Sequence, residues 1–269
     1  MFLKNIFIEG IQGMGKSYLL QKISEKIPEF YVCREGDYSP ADLAWCAYMT
    51  PKEYQGILNQ YETLANEISA NTVLEGSHYV VCYTKIITDL PGFHKNLEQY
   101  EIYNGAIPPK EFEDLIISRY RRFSGSGYLL ECAIMQNILE NLMLFLQYQD
   151  DEILAFYEKL FHVMHKDRFR LVYLYSDRIE DHIKIIQKER ADGRGNQLWY
   201  ELVMSYLASS PYGRVHGYKN FDDLTAHLAH RQRLELRIIR EIFKDHARIF
   251  PAKQWETDEI TDWCLHNGI

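Results

Sequence analysis

The sequence predicts an α/β fold: a mainly parallel sheet of five strands covered by helices. Two observations lead there. Short apolar runs alternate with longer stretches of helical periodicity, the mark of strand–helix–strand units. The runs are also apolar almost throughout, as strands buried on both faces are, rather than alternating apolar and polar. At 269 residues, with 46% hydrophobic and 25% charged residues, the chain is long enough to bury a core and too apolar for wholesale disorder.

The five core strands fall in order along the chain. Residues 4–9 carry Ile6, Phe7 and Ile8; residues 30–34 follow the breaker Pro28; residues 128–132 follow the loop Ser124-Gly125-Ser126-Gly127. Residues 170–175 are aromatic and β-branched, and residues 247–251 come after a long charged helix. Helices are expected between them. The first, 16–26, sets Leu19, Leu20 and Ile23 at helical spacing. The next, 40–49, starts with Ser39 as cap and Pro40 in the first turn. Residues 109–122, 133–148, 152–165, 178–190, 197–208 and 221–244 follow. The segment 72–86 is ambiguous and compatible with an extra strand. About 90 residues separate the second and third core strands, far more than one crossover helix needs. A single domain over 1–269 is therefore expected to carry a helical insertion at about 50–125, covering the substrate, and a lid at about 188–220.

Composition limits the function. The net charge is −8, from 30 Lys+Arg against 38 Asp+Glu, which argues against duplex nucleic acid as a partner. No apolar run approaches the roughly 18 residues of a membrane span, and MFLKNIFIEG lacks the form of a signal peptide. A cytoplasmic protein with no membrane partner is the expectation. The five cysteines form no C-x-x-C pair and read as reduced, buried thiols; the ten histidines do not fall at zinc-ligand spacing beside them.

The segment that carries chemistry is Gly10-Ile11-Gln12-Gly13-Met14-Gly15-Lys16-Ser17, which matches G-x-x-x-x-G-K-[ST] between a strand and a helix. Glycines let the backbone turn tightly and aim several N–H groups at one anion. The helix that starts near Gly15 adds the positive end of its dipole. Lys16 is a flexible point charge for β- and γ-phosphates, the Ser17 hydroxyl suits Mg²⁺, and Tyr18 follows beside the loop. Gly10, Gln12, Gly13, Met14, Gly15, Lys16, Ser17 and Tyr18 are thus the candidate nucleotide-binding residues, with ATP and Mg²⁺ as cofactors. No N-K-x-D run marks guanine recognition, and no long accessory domain suggests a motor or transporter.

The run from Ile6 to Ser17, an apolar strand followed by Glu9-Gly10 and the glycine loop, resembles the opening of deoxynucleoside and thymidylate kinases. That resemblance implies a three-layer P-loop fold with strand order 2-3-1-4-5, an acid after the second strand, an acid–Arg pair after the third and an Arg-bearing lid after the fourth. It also implies a homodimer as a common assembly. Glu35, Glu131 and Arg190 with Arg194 stand in the corresponding places, while Cys132 replaces the family's arginine.

Other candidates are read from the residues. Glu35 or Asp37, beyond the end of a strand, could take a hydroxyl proton from the acceptor; the same segment also reads as a helix-capping loop. Glu131 in an apolar strand could hold Mg²⁺ with Ser17, or form an internal salt bridge. Arg190 and Arg194, flanked by glycines, could close on the γ-phosphate, or lie on a solvated helix end. Arg119, Arg121 and Arg122 would suit a phosphorylated acceptor, while Trp45, Tyr48 and Gln136 could stack on or bond a base. Arg231, Arg233, Glu235, Arg237 and Arg240 read mostly as a solvated helix surface. The function expected is ATP-dependent phosphoryl transfer to a nucleoside or nucleoside monophosphate. The alternatives are a nucleotide-binding regulatory protein with little transfer, and a kinase with another small acceptor.

Overall fold

The computed structural model describes residues 3–265. Its main sheet is parallel, with five strands in the order β2-β6-β1-β7-β8. These are β1 (Asn5–Glu9), β2 (Tyr31–Cys33), β6 (Tyr128–Glu131), β7 (Phe169–Tyr175) and β8 (Ala247–Pro251). Three short strands intervene in the chain: β3 (Ala47–Met49), β4 (Thr72–Glu75) and β5 (His78–Val81). They form a separate antiparallel sheet in the order β3-β5-β4. Counted over all eight strands the main order therefore reads 2-6-1-7-8 instead of 2-3-1-4-5, because the insertion brings strands of its own.

Alternation along the core strands divides the interior into two layers. Phe7, Leu130, Leu171 and Tyr173 face one side, against Phe112 and Ile116 of α5 (Pro109–Arg122) and Phe156, Tyr157 and Leu160 of α7 (Asp150–Val163). Ile6, Ile8, Leu129 and Val172 face the other, against Leu19, Leu20 and Ile23 of α1 (Lys16–Lys26) and Ile260 of α12 (Thr257–Leu265). Both faces of every central strand are covered, which explains their unbroken apolar sequence. The remaining helices are α2 (Pro51–Gln60), α3 (Ala65–Ala70), α4 (Phe93–Glu98), α6 (Gln136–Glu140), α8 (Ile179–Glu189), α9 (Leu198–Ser209), α10 (Pro211–His216) and α11 (Phe221–Ile238). No described helix is long and apolar enough to cross a membrane.

Two local expectations change. The helix expected over 40–49 does not form. The Ser39 hydroxyl accepts the N–H groups of Ala41 and Asp42, both at 3.2 Å, Trp45 takes a φ of 64°, and Ala47–Met49 pairs with β5. A serine that satisfies backbone donors locally competes with helix formation. The insertion is also less purely helical than expected. Segment 72–86 folds as the β4–β5 hairpin about Gly76-Ser77, and a small core of its own (Met49, Ile57, Ile68, Val81, Phe93 and Leu97) holds α2, α3 and α4 against the sheet.

Candidate functional site

β1 lies at the centre of the sheet, and the chain leaves its carboxyl end into the glycine loop and then α1. Ligands in open parallel sheets bind beyond this end of the strands. The loop needs its glycines for different reasons. Gly10 has a φ of 141°, and a Cβ there would stand 2.5 Å from the Leu174 carbonyl oxygen on the neighbouring strand. Gly13 has a φ of 84°, and its Cβ would meet Ile186 of α8 at 2.6 Å. Any side chain would push the loop off both walls.

Lys16 curls back over this loop. Its buried ammonium donates to the Gly10 carbonyl at 2.8 Å, the Ile11 carbonyl at 3.1 Å and Gln136 Oε1 at 3.0 Å. Gln136 in turn donates from Nε2 to Glu35 Oε1 at 2.8 Å. One amide therefore links the loop lysine to the carboxylate beyond β2. Burial raises the Glu35 pKa above the usual carboxylate range, and Lys16 partly opposes it. Register places Glu131 beside Ile8, so its carboxylate meets the second helical residue: the Ser17 hydroxyl donates to Glu131 Oε1.

Glu9 ends β1 fully buried and accepts N–H groups of Ile134 at 2.7 Å, Met135 at 3.2 Å and Gln136 at 3.3 Å. It thereby fixes the start of α6, and with it Gln136. Burial pushes its carboxyl up to about 8, against the pull of those N–H groups and Lys16. The folded state thus holds a proton that the unfolded chain, at about 4.5, releases. This contribution to stability is complete below about pH 4.5 and is lost as pH rises through about 8. Melting scans across that window should show wild type losing stability, and Glu9→Gln should show a shallower decline. Asp42 and Glu101, raised by burial to about 6 and about 7, keep a residual slope of the same sign. An unchanged slope in the variant would show that Glu9 does not carry the proton.

A second buried network supports the loop from α11. Arg231 donates from Nη2 to Gln12 Oε1 at 2.8 Å and from Nη1 to Glu140, and its Nε stands 3.1 Å from Glu235. His227 Nε2 lies 2.8 Å from Glu140, and Tyr173 donates to Glu235. Burial alone would raise the Glu140 carboxyl, but His227 and Arg231 hold it down to about 2. Arg231 and Glu235 are fully buried, so the solvated surface expected for this helix is confined to its other faces.

These elements line a cleft of about 1320 Å³. The loop residues Gln12 to Tyr18 form its floor, Glu131, Gln136 and Glu35 continue it, and Arg190, Trp199 and Trp255 stand at its sides. Tyr18 packs against Trp255 with ring centres 5.9 Å apart, and the Arg190 guanidinium lies 5.6 Å from the Trp199 ring. Trp45 also reaches the cleft. Gly10 lies beneath the loop, against Leu174.

Several candidates lie elsewhere. Asp37 accepts the Arg34 N–H at 2.9 Å and pairs with Lys85. Tyr48 stacks on His78. Arg119 is buried and bonded to Glu75 and to the Ser39 and Ala41 carbonyls, while the exposed Arg122 lies 3.3 Å from Glu75. Arg194 sits exposed in a turn shaped by Asp192, outside the cleft lining. Cys132 is buried at a φ of 57° and its N–H bonds the Ile8 carbonyl, and the five cysteines are free thiols, all buried.

Sequence reasoning overlooked Glu9, Glu101, Glu140, His227 and the burial of Arg231. A signal for the last two was present. His227, Arg231 and Glu235 repeat at i, i+4, i+8 on the same stripe as Leu224, Leu228 and Ile238.

No family model matches this chain, and no curated protein matches it at a significant level. Among solved structures, it is similar to a gluconokinase from Sinorhizobium meliloti 1021, with a TM-score of 0.34 and 10% identity, covering 98% of this chain and 90% of that one.

Proposed function

We propose that this chain is a phosphotransferase that moves the terminal phosphoryl group of Mg·ATP to a hydroxyl of a small acceptor held in the same cleft. The observation that supports it most is the chain of contacts from Lys16 through Gln136 to Glu35, which joins a phosphate-binding loop to a carboxylate inside one cavity. A loop that bound a nucleotide for structural reasons alone would need no such carboxylate opposite its lysine.

The residues divide the work. The loop N–H groups and the α1 terminus bind the polyphosphate, and Lys16 turns from its carbonyl partners to the β- and γ-phosphates. Arg190 adds positive charge from the side of the cleft. Glu35, whose raised pKa brings it closer to neutrality, orients the acceptor hydroxyl and takes its proton. Trp199, Leu202 and Tyr206 of α9 shield the site from water that would compete as acceptor. Ser17 and Glu131 offer the hard oxygens that Mg²⁺ takes. When bound, Mg²⁺ supplies neutralisation of charge on the phosphate oxygens.

The test is direct. γ-Labelled ATP offered with a panel of nucleosides, nucleoside monophosphates and other hydroxylated metabolites should pass label to at least one of them. ATP binding with no transfer to any member would instead favour a nucleotide-binding regulatory protein.

A further inference from the structure

The two walls of the cleft differ in charge. The wall built by α1, the end of α8 and the loop after β8 presents the cations Lys16, Lys22, Arg190 and Lys253, with the carboxylates Glu189 and Glu256 among them. The opposite wall, built by the segment between β2 and β6, presents Glu35, Glu98 and Glu101 together with Trp45, Tyr103 and Asn104. Lys95 is the one cation that this segment adds to the lining among the described residues, and it is paired with Glu98 at 2.8 Å. The arginines that could have met a phosphate there are committed elsewhere. The Arg119 guanidinium is consumed by Glu75, Ser39 and Ala41, and Arg122 also leans on Glu75.

Glu101 is the most telling member. It is 4% exposed, yet it lines the cleft. Its Oε1 accepts the Tyr83 hydroxyl, and among the described residues no hydrogen bond reaches Oε2. A nearly buried carboxylate that lines the cleft with an accepting oxygen to spare can take a donor from a ligand bound there. Tyr103 and Asn137 do not supply it, since both donate to Asp42.

Resting on the phosphotransferase reading, we propose that the acceptor of this site is a hydroxyl-bearing compound with no acidic group of its own, whose hydroxyl or amino donors are taken by Glu101. A monophosphate would bring two negative charges to a wall whose one cation, Lys95, is already paired with Glu98, so its phosphate would find no unpaired partner there, whereas hydroxyl or amino donors find the Glu101 carboxylate. The polarity also orients the pair of substrates. The polyanionic nucleotide lies against the basic wall, and the acceptor hydroxyl lies toward Glu35, facing the loop.

The experiment uses matched acceptors, each offered with and without its phosphate: nucleoside against monophosphate, free sugar or aminosugar against sugar phosphate. Label from ATP should reach the unphosphorylated member, with kcat/KM at least about 10²-fold above its partner. Glu101→Gln keeps the side chain's shape and an oxygen for Tyr83. It should raise the acceptor KM about 10-fold while leaving the ATP dissociation constant unchanged. A purely structural role would move ATP binding or melting temperature and leave the acceptor KM alone. Preferential labelling of phosphorylated members, or an unaltered acceptor KM in Glu101→Gln, overturns this inference and leaves phosphoryl transfer standing. Transfer to no member of either set overturns both.

Discussion

On the proposed function, Lys16→Ala should lower phosphoryl transfer by about 10³-fold or more and leave a folded protein. The size follows from position. The ammonium stands at the mouth of the glycine loop, where charge on the transferred group would otherwise face only backbone N–H groups, and removing one such preorganised charge costs several kcal/mol of transition-state stabilisation. The fold should survive because the lysine's partners are two loop carbonyls and one side-chain amide beside an open cleft, where water can replace it. Label transfer and melting temperature, measured on the same preparation, check both halves. Transfer at wild-type rate would remove the loop from the chemistry altogether.

Arg231→Met should produce the opposite pattern, a large loss of stability in a residue that lines no part of the cleft. Methionine keeps much of the volume, so packing is not the issue. The loss comes from Glu140 and Glu235, buried carboxylates left without their guanidinium. Removing one member of such a pair costs about 3–5 kcal/mol, which for a chain of this size lowers the melting temperature by on the order of 10 °C. The pH dependence identifies the cause. Arg231 and His227 hold the Glu140 carboxyl at about 2, and without Arg231 that hold weakens. The stability that an ionised Glu140 supplies above the unfolded value of about 4.5 is then reduced, so the deficit should be greater near neutrality than in acid. Adding Glu140→Gln to Arg231→Met should recover part of it, because an amide is less costly to bury than an unpaired charge. A single variant as stable as wild type, or a deficit that ignores pH, would show that the network contributes little.

The core strands were legible because each is buried on both faces and so leaves an unbroken apolar run between turn residues. The glycine loop was legible for a different reason: its backbone conformation admits few other residues at Gly10 and Gly13. Segment 40–49 was not, because Ser39 and Pro40 make the same local pattern whether they open a helix or close a turn, and the pairing of Ala47–Met49 with β5 decides between them from some thirty residues away. Arg119 shows a similar limit. Its spacing with Arg122 suggests an exposed basic face, while its burial depends on Glu75 in a hairpin whose register no local pattern reveals. Charged residues at helical spacing say which side of a helix they share, and only the packing of that side tells water from core.

The amide of Gln136 touches both Lys16 and Glu35, and it offers Lys16 a single oxygen. Once a triphosphate draws the ammonium away, that oxygen is released and the contact with Glu35 loses its brace. Arrival of the first ligand thus loosens the seat of the second, so the two substrates meet a different protein depending on which enters first.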